Sequence, residues 1–313
     1  MAKAILAGGS GFLGQALARR LAAAGWEVVV LSRRPRPGGP FREVAWDAET
    51  VGGWAAELEG AAALVNFTGR SIHCVHTPEN RREILHSRLR AVAALGRGWS
   101  QAKQPPPVWV QCSATGFYGD AGDRWCDEAQ PPGADFLAEV CHEWEAAFAA
   151  LDLPGLRRVV LRLGIVLDAG HGALPPLAGL ARRFLGGAAG SGRQYISWIH
   201  RDDAMAVFET ALAHADFAGI YNACAPAPVT NAAFMRELRV VLHRPWSPPV
   251  PAFVVRLAAG PLLGADPGIA LHGQRGAPRR LQGAGFAFRH PAVEGALRDL
   301  LGAPANRPGN PLH

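Results

Sequence analysis

The feature that most constrains the fold is a glycine cluster near the start of the chain. Gly8, Gly11 and Gly14 lie between an apolar run, residues 4–7, and an Ala/Leu-rich segment. This order predicts a strand, a tight turn and a helix. Gly8 would permit the turn, Gly11 would leave the backbone open to a pyrophosphate, and Gly14 would let the helix pack closely on the strand. The helix would direct its free N–H groups at the phosphates.

Segments that predict strands alternate with segments that predict helices along the first half of the chain. The predicted strands after the glycine cluster cover residues 26–32, 42–47, 62–69, 108–113 and 158–163, and the predicted helices include 82–95 and 136–151. This alternation predicts an α/β fold with a doubly wound parallel sheet, the Rossmann fold that binds NAD(P). A strand over residues 219–222 is expected to return to this sheet.

Two arginines after the second predicted strand indicate which dinucleotide binds. Ser32, Arg33 and Arg34 stand where an acid would bind the 2′-hydroxyl of NAD and an arginine accommodates the 2′-phosphate of NADP. No acid is present in this segment, so we predict NADP(H); the alternative is two solvated loop arginines. The residues predicted to bind the cofactor are Gly8, Ser10, Gly11, Phe12, Leu13, Gly14, Ser32, Arg33, Arg34, Asn66, Phe67, Thr68 and Gly69.

The character of the sequence changes near residue 170, beyond which Gly and Pro are dense and the loops are longer. A chain of 313 residues is long enough to form one large domain or two modest ones. We predict an NADP-binding domain over residues 1–170, completed by a returning strand near 219–224. A smaller C-terminal domain that binds substrate would cover residues 171–313.

Charge and cysteine content exclude several classes of protein. The net charge is +6, but the arginines are scattered and no aromatic residues interleave with a basic stripe, so we predict no nucleic-acid partner. The five cysteines contain no C-x-x-C motif, which indicates a reducing cytoplasm. No apolar run reaches about 18 residues, so we predict no transmembrane helix and no membrane partner. His73, Cys74 and His76 lack a fourth ligand at a recognisable spacing, so we predict a loop over the cofactor and no metal.

Polar residues follow several predicted strands, where open parallel sheets bind their ligands. Ser113 ends the fifth strand, residues 66–69 end the fourth, and Arg162 lies on the sixth. A second polar cluster follows at residues 190–203. Alternation from residue 194 to 200 predicts one strand with every second side chain on one face, followed by a helix that begins at two acids. The predicted substrate-binding residues are Arg162, Gln194, Trp198 and His200, although a domain-junction strand with a structural histidine is the alternative.

Together these segments resemble an atypical extended branch of the short-chain dehydrogenase/reductases, the epimerase-like family that includes family 39U member 1 and its bacterial relatives. The resemblance covers residues 8–14, 65–69, 87–88, 113–119, 135–137, 144–145, 162–167, 190–203 and 222–226, and C-terminal stretches at 251–257, 274–278 and 285–288. It implies an NADP-binding protein with an epimerase or oxidoreductase role on a sugar nucleotide or similar polar compound. By analogy it also implies a homodimer formed through two helices that flank the sheet.

The Tyr-x-x-x-Lys pair of this superfamily is absent. The only lysines are Lys3 and Lys103, and neither lies four residues after a tyrosine. By register with the helix that carries the pair in the superfamily, Leu137 and Cys141 occupy the two places. In the superfamily the tyrosine moves the proton and the lysine lowers the tyrosine pKa, so a substitute is required for hydride transfer.

The resemblance implies that Ser113 hydrogen-bonds the reacting oxygen of the substrate. Tyr118 is the first candidate for the proton donor, although it could instead pack under the cofactor as part of a turn. Glu143 and Glu145 could also reach the site or face solvent. The resulting hypothesis is an NADP(H)-dependent oxidoreductase or epimerase with Ser113 and Tyr118 as catalytic residues. The alternative is a cofactor-binding sensor or scaffold without turnover, which the missing pair favours.

Overall fold

The computed structural model describes residues 1–302, except for the side chains of residues 259 and 261–263. The strands are β1 (Lys3–Ala7), β2 (Glu27–Ser32), β3 (Arg42–Ala45), β4 (Ala63–Asn66), β5 (Val108–Ala114), β6 (Trp125–Cys126), β7 (Arg157–Leu163), β8 (Ile165–Leu167), β9 (Tyr195–Ile196), β10 (Trp198–His200), β11 (Gly219–Ala223), β12 (Val229–Thr230) and β13 (Arg275–Gly276). The helices are α1 (Phe12–Ala23), α2 (Pro78–Gln101), α3 (Phe136–Ala149), α4 (Leu174–Arg182), α5 (Arg201–Ala213), α6 (Asn231–Val241), α7 (Ala252–Leu263), α8 (Gly268–Leu271), α9 (Arg279–Gly283) and α10 (Val293–Leu301). Two 3-10 helices span Gly53–Leu58 and Thr115–Tyr118.

Seven parallel strands form the central sheet in the order β11-β7-β5-β4-β1-β2-β3. The predicted doubly wound parallel sheet is therefore confirmed, with β11 at its edge beside β7. The chain adds strands on one side of β1 with β2 and β3, and on the other side with β4 and those that follow. Ligands of open parallel sheets bind at such a switch point, outside the carboxyl ends of the strands.

The inner strands are apolar because helices cover both faces of the sheet. Every residue of β4 is buried, as are four of the five residues of β1, as is typical of parallel sheets. Trp109 on β5 packs against Phe148 on α3, with ring centroids 4.8 Å apart. Such contacts hold α3 against the sheet and fix the side chains that it presents to the carboxyl edge.

The two helices that flank this edge begin at capping side chains. Thr77 Oγ1 accepts a hydrogen bond from the N–H of Asn80 at the start of α2, at 3.2 Å. Asp135 Oδ1 accepts one from the N–H of Ala138 at the start of α3, at 2.9 Å. Each cap satisfies a first-turn N–H that has no partner within the helix. The caps therefore fix where α2 and α3 begin.

A second, smaller apolar cluster links β10 with α4, α6 and α10. Its fully buried members are Leu167, Leu174, Ala178, Ala181, Trp198, Leu238, Ala296 and Leu297. None of the helices within residues 1–302 has the length and apolar character that crossing a membrane requires.

The predicted single strand over residues 194–200 is wrong. β9 pairs antiparallel with β12, whereas β10 pairs parallel with β8, and Ser197 lies between β9 and β10. The Ser197 hydroxyl donates to the Gln274 carbonyl and accepts from the Gly276 N–H, both at 2.8 Å. Because the chain changes partner at Ser197, the side chains on either side of it do not form one sheet face.

Candidate functional site

The glycine cluster forms the turn between β1 and α1. Gly8 has a φ of +69°, a conformation that glycine adopts without strain. A Cβ at Gly14 would lie 2.3 Å from Gly9 Cα, so a side chain there would push α1 away from the turn. Gly11 precedes the helix and supplies no side-chain cap. The first-turn N–H groups of α1 are therefore left for a ligand, and this cradle fits a phosphate group.

The segment after β4 lies directly against this turn. A Cβ at Gly8 would lie 3.0 Å from the Thr68 nitrogen. Asn66 is buried and holds the segment in place, because its Oδ1 accepts hydrogen bonds from the N–H and the hydroxyl of Thr68. Its Nδ2 donates to Gln111 Oε1 at 3.0 Å. The structure thus brings the predicted residues at the ends of β1 and β4 together.

Arg33 and Arg34 extend from the end of β2, beside β1. Both side chains are exposed, and neither forms an ion pair within residues 1–302. Ser32 is buried, and its hydroxyl accepts a hydrogen bond from the Arg34 N–H at 3.3 Å. Two free guanidinium groups at this strand end fit the 2′-phosphate of NADP.

The other residues predicted to bind the cofactor surround the glycine turn but differ in exposure and contacts. The Phe12 ring stacks on the His171 imidazole with centroids 4.9 Å apart and planes 5° apart, which ties the start of α1 to the loop after β8. Ser10 is exposed at the turn. Leu13 and Phe67 pack against the main core, so their side chains support the cradle from behind.

A row of polar residues crosses three neighbouring strands at the carboxyl edge of the sheet. Ser113 on β5 is the register partner of Arg162 on β7, which is the register partner of Asn222 on β11. The Ser113 hydroxyl donates to Glu145 Oε1 at 2.6 Å. Arg162 donates to both oxygens of the same carboxylate, from Nε at 2.9 Å and from Nη2 at 2.7 Å. All these side chains are buried, so the charges of Glu145 and Arg162 compensate each other away from solvent.

Tyr118 occupies the other side of Arg162. Its hydroxyl accepts a hydrogen bond from Arg162 Nη1 at 2.9 Å and donates one to Asn222 Oδ1 at 2.8 Å. The Phe117 ring lies under the guanidinium, 3.4 Å from its Cζ. Burial raises the pKa of Tyr118 well above its ordinary value, and the side chain has no exposed surface. This geometry favours a role in positioning Arg162 over the predicted role of proton donor.

The register places of the missing pair carry no acid–base group for neutral pH. Leu137 is half-buried, and Cys141 is buried. Burial raises the pKa of the Cys141 thiol to about 11, so it stays protonated near neutral pH. Of the two alternative acids, Glu143 is exposed to solvent, whereas Glu145 contacts Ser113.

The predicted substrate-binding residues all have partners within the chain. Arg162 is held by Glu145 as described above. Gln194 Nε2 donates to the carbonyls of Ala189 and Ala270, at 2.9 and 2.8 Å. Trp198 is buried in the second core, and its Nε1 donates to a backbone carbonyl. His200 caps α5 through Nδ1. Their contacts favour structural roles, and the structure does not gather them on one wall.

Within the described residues, one group of side chains has the composition of a metal site. It consists of His200, His290 and Asp299. His200 Nδ1 accepts the N–H of Asp202 at 3.0 Å, so in a neutral imidazole Nε2 carries the proton and has no lone pair for a metal. The two imidazoles are also stacked on each other, with centroids 3.8 Å apart. This donor set therefore does not fit a metal ion.

Asn222 belongs to the site but was not predicted, and Glu145 was predicted only as one of two acids that could reach the site or face solvent. Glu145 lies four and eight residues after Cys141 and Leu137, so it shares their helix face, and that spacing could have singled it out. Asn222 could have been found only from the strand register, which the sequence does not specify.

Comparisons with known proteins match nearly the whole chain. Residues 4–224 match the NAD dependent epimerase/dehydratase family, and residues 250–300 match a domain of unknown function, DUF1731. Epimerase family protein SDR39U1 of Bos taurus is 36% identical over 304 residues, which cover 96% of this chain and 99% of that protein.

Two crystal structures extend the match to three dimensions. Human epimerase family protein SDR39U1 (isoform 2) with NADPH is 33% identical, with a TM-score of 0.85 over 96% of this chain and 99% of that chain. The nucleoside-diphosphate sugar epimerase from Corynebacterium glutamicum is 32% identical, with a TM-score of 0.77 over 96% of this chain and 58% of that chain.

Proposed function

Because the chain belongs to the NAD dependent epimerase/dehydratase family, we propose that it is an NADP(H)-dependent oxidoreductase or epimerase. The substrate in this proposal is a sugar nucleotide or a similar polar compound with a reacting hydroxyl or ketone. The glycine cradle and the exposed Arg33 and Arg34 support NADP(H) as the cofactor, as does the NADPH in the similar human structure. The name of the similar sugar epimerase supports the substrate class.

The observation that carries the proposal is the bond between Ser113 and Glu145. Because the Ser113 hydroxyl donates to Glu145 Oε1 at 2.6 Å, its oxygen lone pairs are free to accept a hydrogen bond from a substrate hydroxyl. When the substrate hydroxyl is oxidised, its proton can pass to the Ser113 oxygen while the Ser113 hydroxyl proton passes to the Glu145 carboxylate. When a ketone is reduced, the same transfer in reverse protonates the ketone oxygen. NADP(H), when bound, supplies hydride exchange.

Arg162 prepares the carboxylate for this role. Its two hydrogen bonds to Glu145 fix both oxygens, so that Oε1 stays directed at Ser113. The contacts from Tyr118 and the Phe117 ring hold the guanidinium in turn. Proton transfer through positioned groups of this kind contributes about 10²–10⁴-fold to a rate.

A non-catalytic NADP(H) sensor or scaffold is the second candidate. The observation that favours it is the loss of the usual pair, since Leu137 and the protonated thiol of Cys141 cannot move a proton near neutral pH. A sensor would need the cradle and the arginines but would not need Glu145 directed at Ser113.

The test is turnover of nucleoside-diphosphate sugars with NADP(H). The purified protein is incubated with each sugar and cofactor, and chromatography separates substrate, epimer and oxidised product. We expect Ser113→Ala and Glu145→Gln to lower kcat by about 10²-fold or more while NADPH still binds. Glu143→Gln, the same change on an exposed residue of α3, should keep the wild-type rate. Binding of NADPH without turnover of any sugar would favour the sensor.

A further inference from the structure

The direction of a bound dinucleotide follows from the strand order. The cradle lies at the end of β1, and Arg33 and Arg34 lie at the end of β2 on one side of it. A cofactor with its pyrophosphate in the cradle and its 2′-phosphate at these arginines has its other half on the opposite side of β1. The strand on that side is β4. The segment that ends β4 reaches Gly69, whose lack of a side chain makes room for a side chain of α2.

Arg88 of α2 fills the space behind Gly69. A Cβ at Gly69 would lie 2.9 Å from Arg88 Cζ and 3.1 Å from both Nε and Nη2. The guanidinium also lies over the Trp144 ring, with Cζ 4.9 Å from the ring centroid. Nη1 donates to the carbonyls of Arg70 and Ile84, at 3.1 and 2.6 Å. The face of the guanidinium therefore packs against Gly69. The backbone anchors Nη1, whereas Nε and Nη2 have no hydrogen-bond acceptor within residues 1–302.

The charge of Arg88 has no counter-charge within residues 1–302. No carboxylate there forms an ion pair with it, although Glu145 pairs with Arg162 nearby. The thiol of Cys141 is the titratable group that acts on it, and this thiol is neutral because burial raises its pKa to about 11. Burial also lowers the pKa of Arg88. Arg88 is half-buried, so water solvates only part of its guanidinium. A ligand that supplies polar partners would compensate the lost solvation, and the Trp144 ring offsets only part of that cost.

We infer that Arg88 is a cofactor-binding residue for the nicotinamide half of NADP(H). Its Nε–H and Nη2–H groups donate hydrogen bonds to oxygens of that half beside Gly69. Its positive charge disfavours the oxidised nicotinamide ring, which is itself positively charged, and leaves the neutral reduced ring unaffected. The site therefore selects NADPH over NADP⁺. This inference rests on the cofactor of the proposed function and is independent of whether the protein turns over a sugar.

The test compares the dissociation constants of NADPH and NADP⁺ by calorimetry. We expect the wild-type protein to bind NADPH more tightly than NADP⁺. Arg88→Met should weaken NADPH binding by about tenfold or more, the scale of one lost hydrogen bond to a charged group. It should weaken NADP⁺ binding less, because the variant also removes the repulsion between the Arg88 charge and the oxidised nicotinamide ring. The dissociation constant of NADP⁺ divided by that of NADPH should therefore fall towards one.

Two further variants separate charge from structure. Arg88→Lys keeps the positive charge and should keep the preference for NADPH even if both affinities fall. Arg82→Met removes an exposed arginine from the same helix and should leave both constants unchanged. Any of three results would overturn the inference. The wild-type protein or Arg88→Lys could bind both cofactors equally well, or Arg88→Met could leave the ratio of the two dissociation constants unchanged. If Arg88→Met does not fold, the wild-type ratio and the lysine variant still decide. A protein that selects NADPH but turns over no sugar would contradict the proposed function and leave this inference intact.

Discussion

The Ser113 hydroxyl and the Glu145 carboxylate lie 2.6 Å apart, although 32 residues separate them in the chain. One belongs to β5 and the other to α3, so the bond connects a strand end to the helix packed beside it. The same carboxylate holds Arg162 on β7. A proton acceptor is thus fixed beside the serine in a chain that lacks the usual tyrosine and lysine.

This pairing makes a prediction about stability. Glu145→Gln removes the counter-charge of a buried arginine, so we expect the free energy of unfolding to fall by about 3 kcal/mol or more. Ser113→Ala removes one hydrogen bond while Arg162 still satisfies the carboxylate, so we expect a loss of about 1 kcal/mol. Glu143→Gln on the exposed face should change stability by less than about 0.5 kcal/mol. Urea unfolding of the three variants checks the order, and equal losses at Glu145 and Glu143 would contradict a buried ion pair.

The glycine cradle predicts opposite outcomes for two alanine substitutions. At Gly14 a Cβ would meet Gly9 Cα at 2.3 Å, so Gly14→Ala should cost about 1–3 kcal/mol of stability through overpacking. At Gly11 the nearest atom is the Gly8 carbonyl oxygen at 3.8 Å, so Gly11→Ala should fold with a loss below about 1 kcal/mol. The added methyl group would then occupy the phosphate position and weaken NADPH binding. Thermal unfolding and NADPH titration together check this, and tight NADPH binding by Gly11→Ala would rule out the cradle as the phosphate site.

Removal of the two arginines after β2 should change the choice of cofactor. Because their exposed guanidinium groups have no partner within the described chain, Arg33→Ala with Arg34→Ala should weaken NADPH binding by about tenfold or more, roughly 1.4 kcal/mol. NADH binding should not change, since NADH lacks the 2′-phosphate. Fluorescence titration with both cofactors measures the difference. Arg36→Ala is the control, because this nearby arginine already pairs with Glu43 at 2.6 Å.

Much of the sheet could be predicted from local pattern. The segments predicted as strands at 26–32, 108–113 and 158–163 correspond closely to β2, β5 and β7. These strands are buried on both faces, so continuous apolar runs identify them. The short strands around residues 195–200 gave a misleading alternation, because their partners β12 and β8 come from distant parts of the chain.

The candidate site was predictable only in part, since its contacts join residues that are far apart in sequence. Ser113 and Arg162 were found as polar groups at strand ends, where such folds bind ligands. Their contacts were not predicted. The helix register brings Glu145, one of the two acids left open, to both Ser113 and Arg162, and the strand register places Asn222 beside Arg162. Trp198 and His200 were predicted to bind substrate because one alternating strand was expected to present them on a single face, whereas both side chains hydrogen-bond the backbone inside the fold.

His200 should make stability depend on pH. Burial, together with the neighbouring His290, lowers its pKa below the ordinary value of about 6.5, although Asp202, Asp299 and Asp203 act in the opposite direction. The unfolded chain therefore binds more protons at this residue than the folded chain when the pH falls below about 6.5, so stability decreases on acidification through that range.

His200→Asn tests this dependence, because asparagine keeps an acceptor for the Asp202 N–H at the start of α5 and cannot take up a proton. We expect the variant to be less stable near pH 8, since it loses the stacking contact with His290, but to lose less stability than the wild type on acidification. Urea unfolding from about pH 5 to 8 gives both slopes. His142→Asn, the same change at an exposed site on α3, should keep the wild-type slope. If the free energy of unfolding of His200→Asn changed with pH as steeply as that of the wild type, the pH dependence would belong to another group. His200 would then act only as the cap of α5.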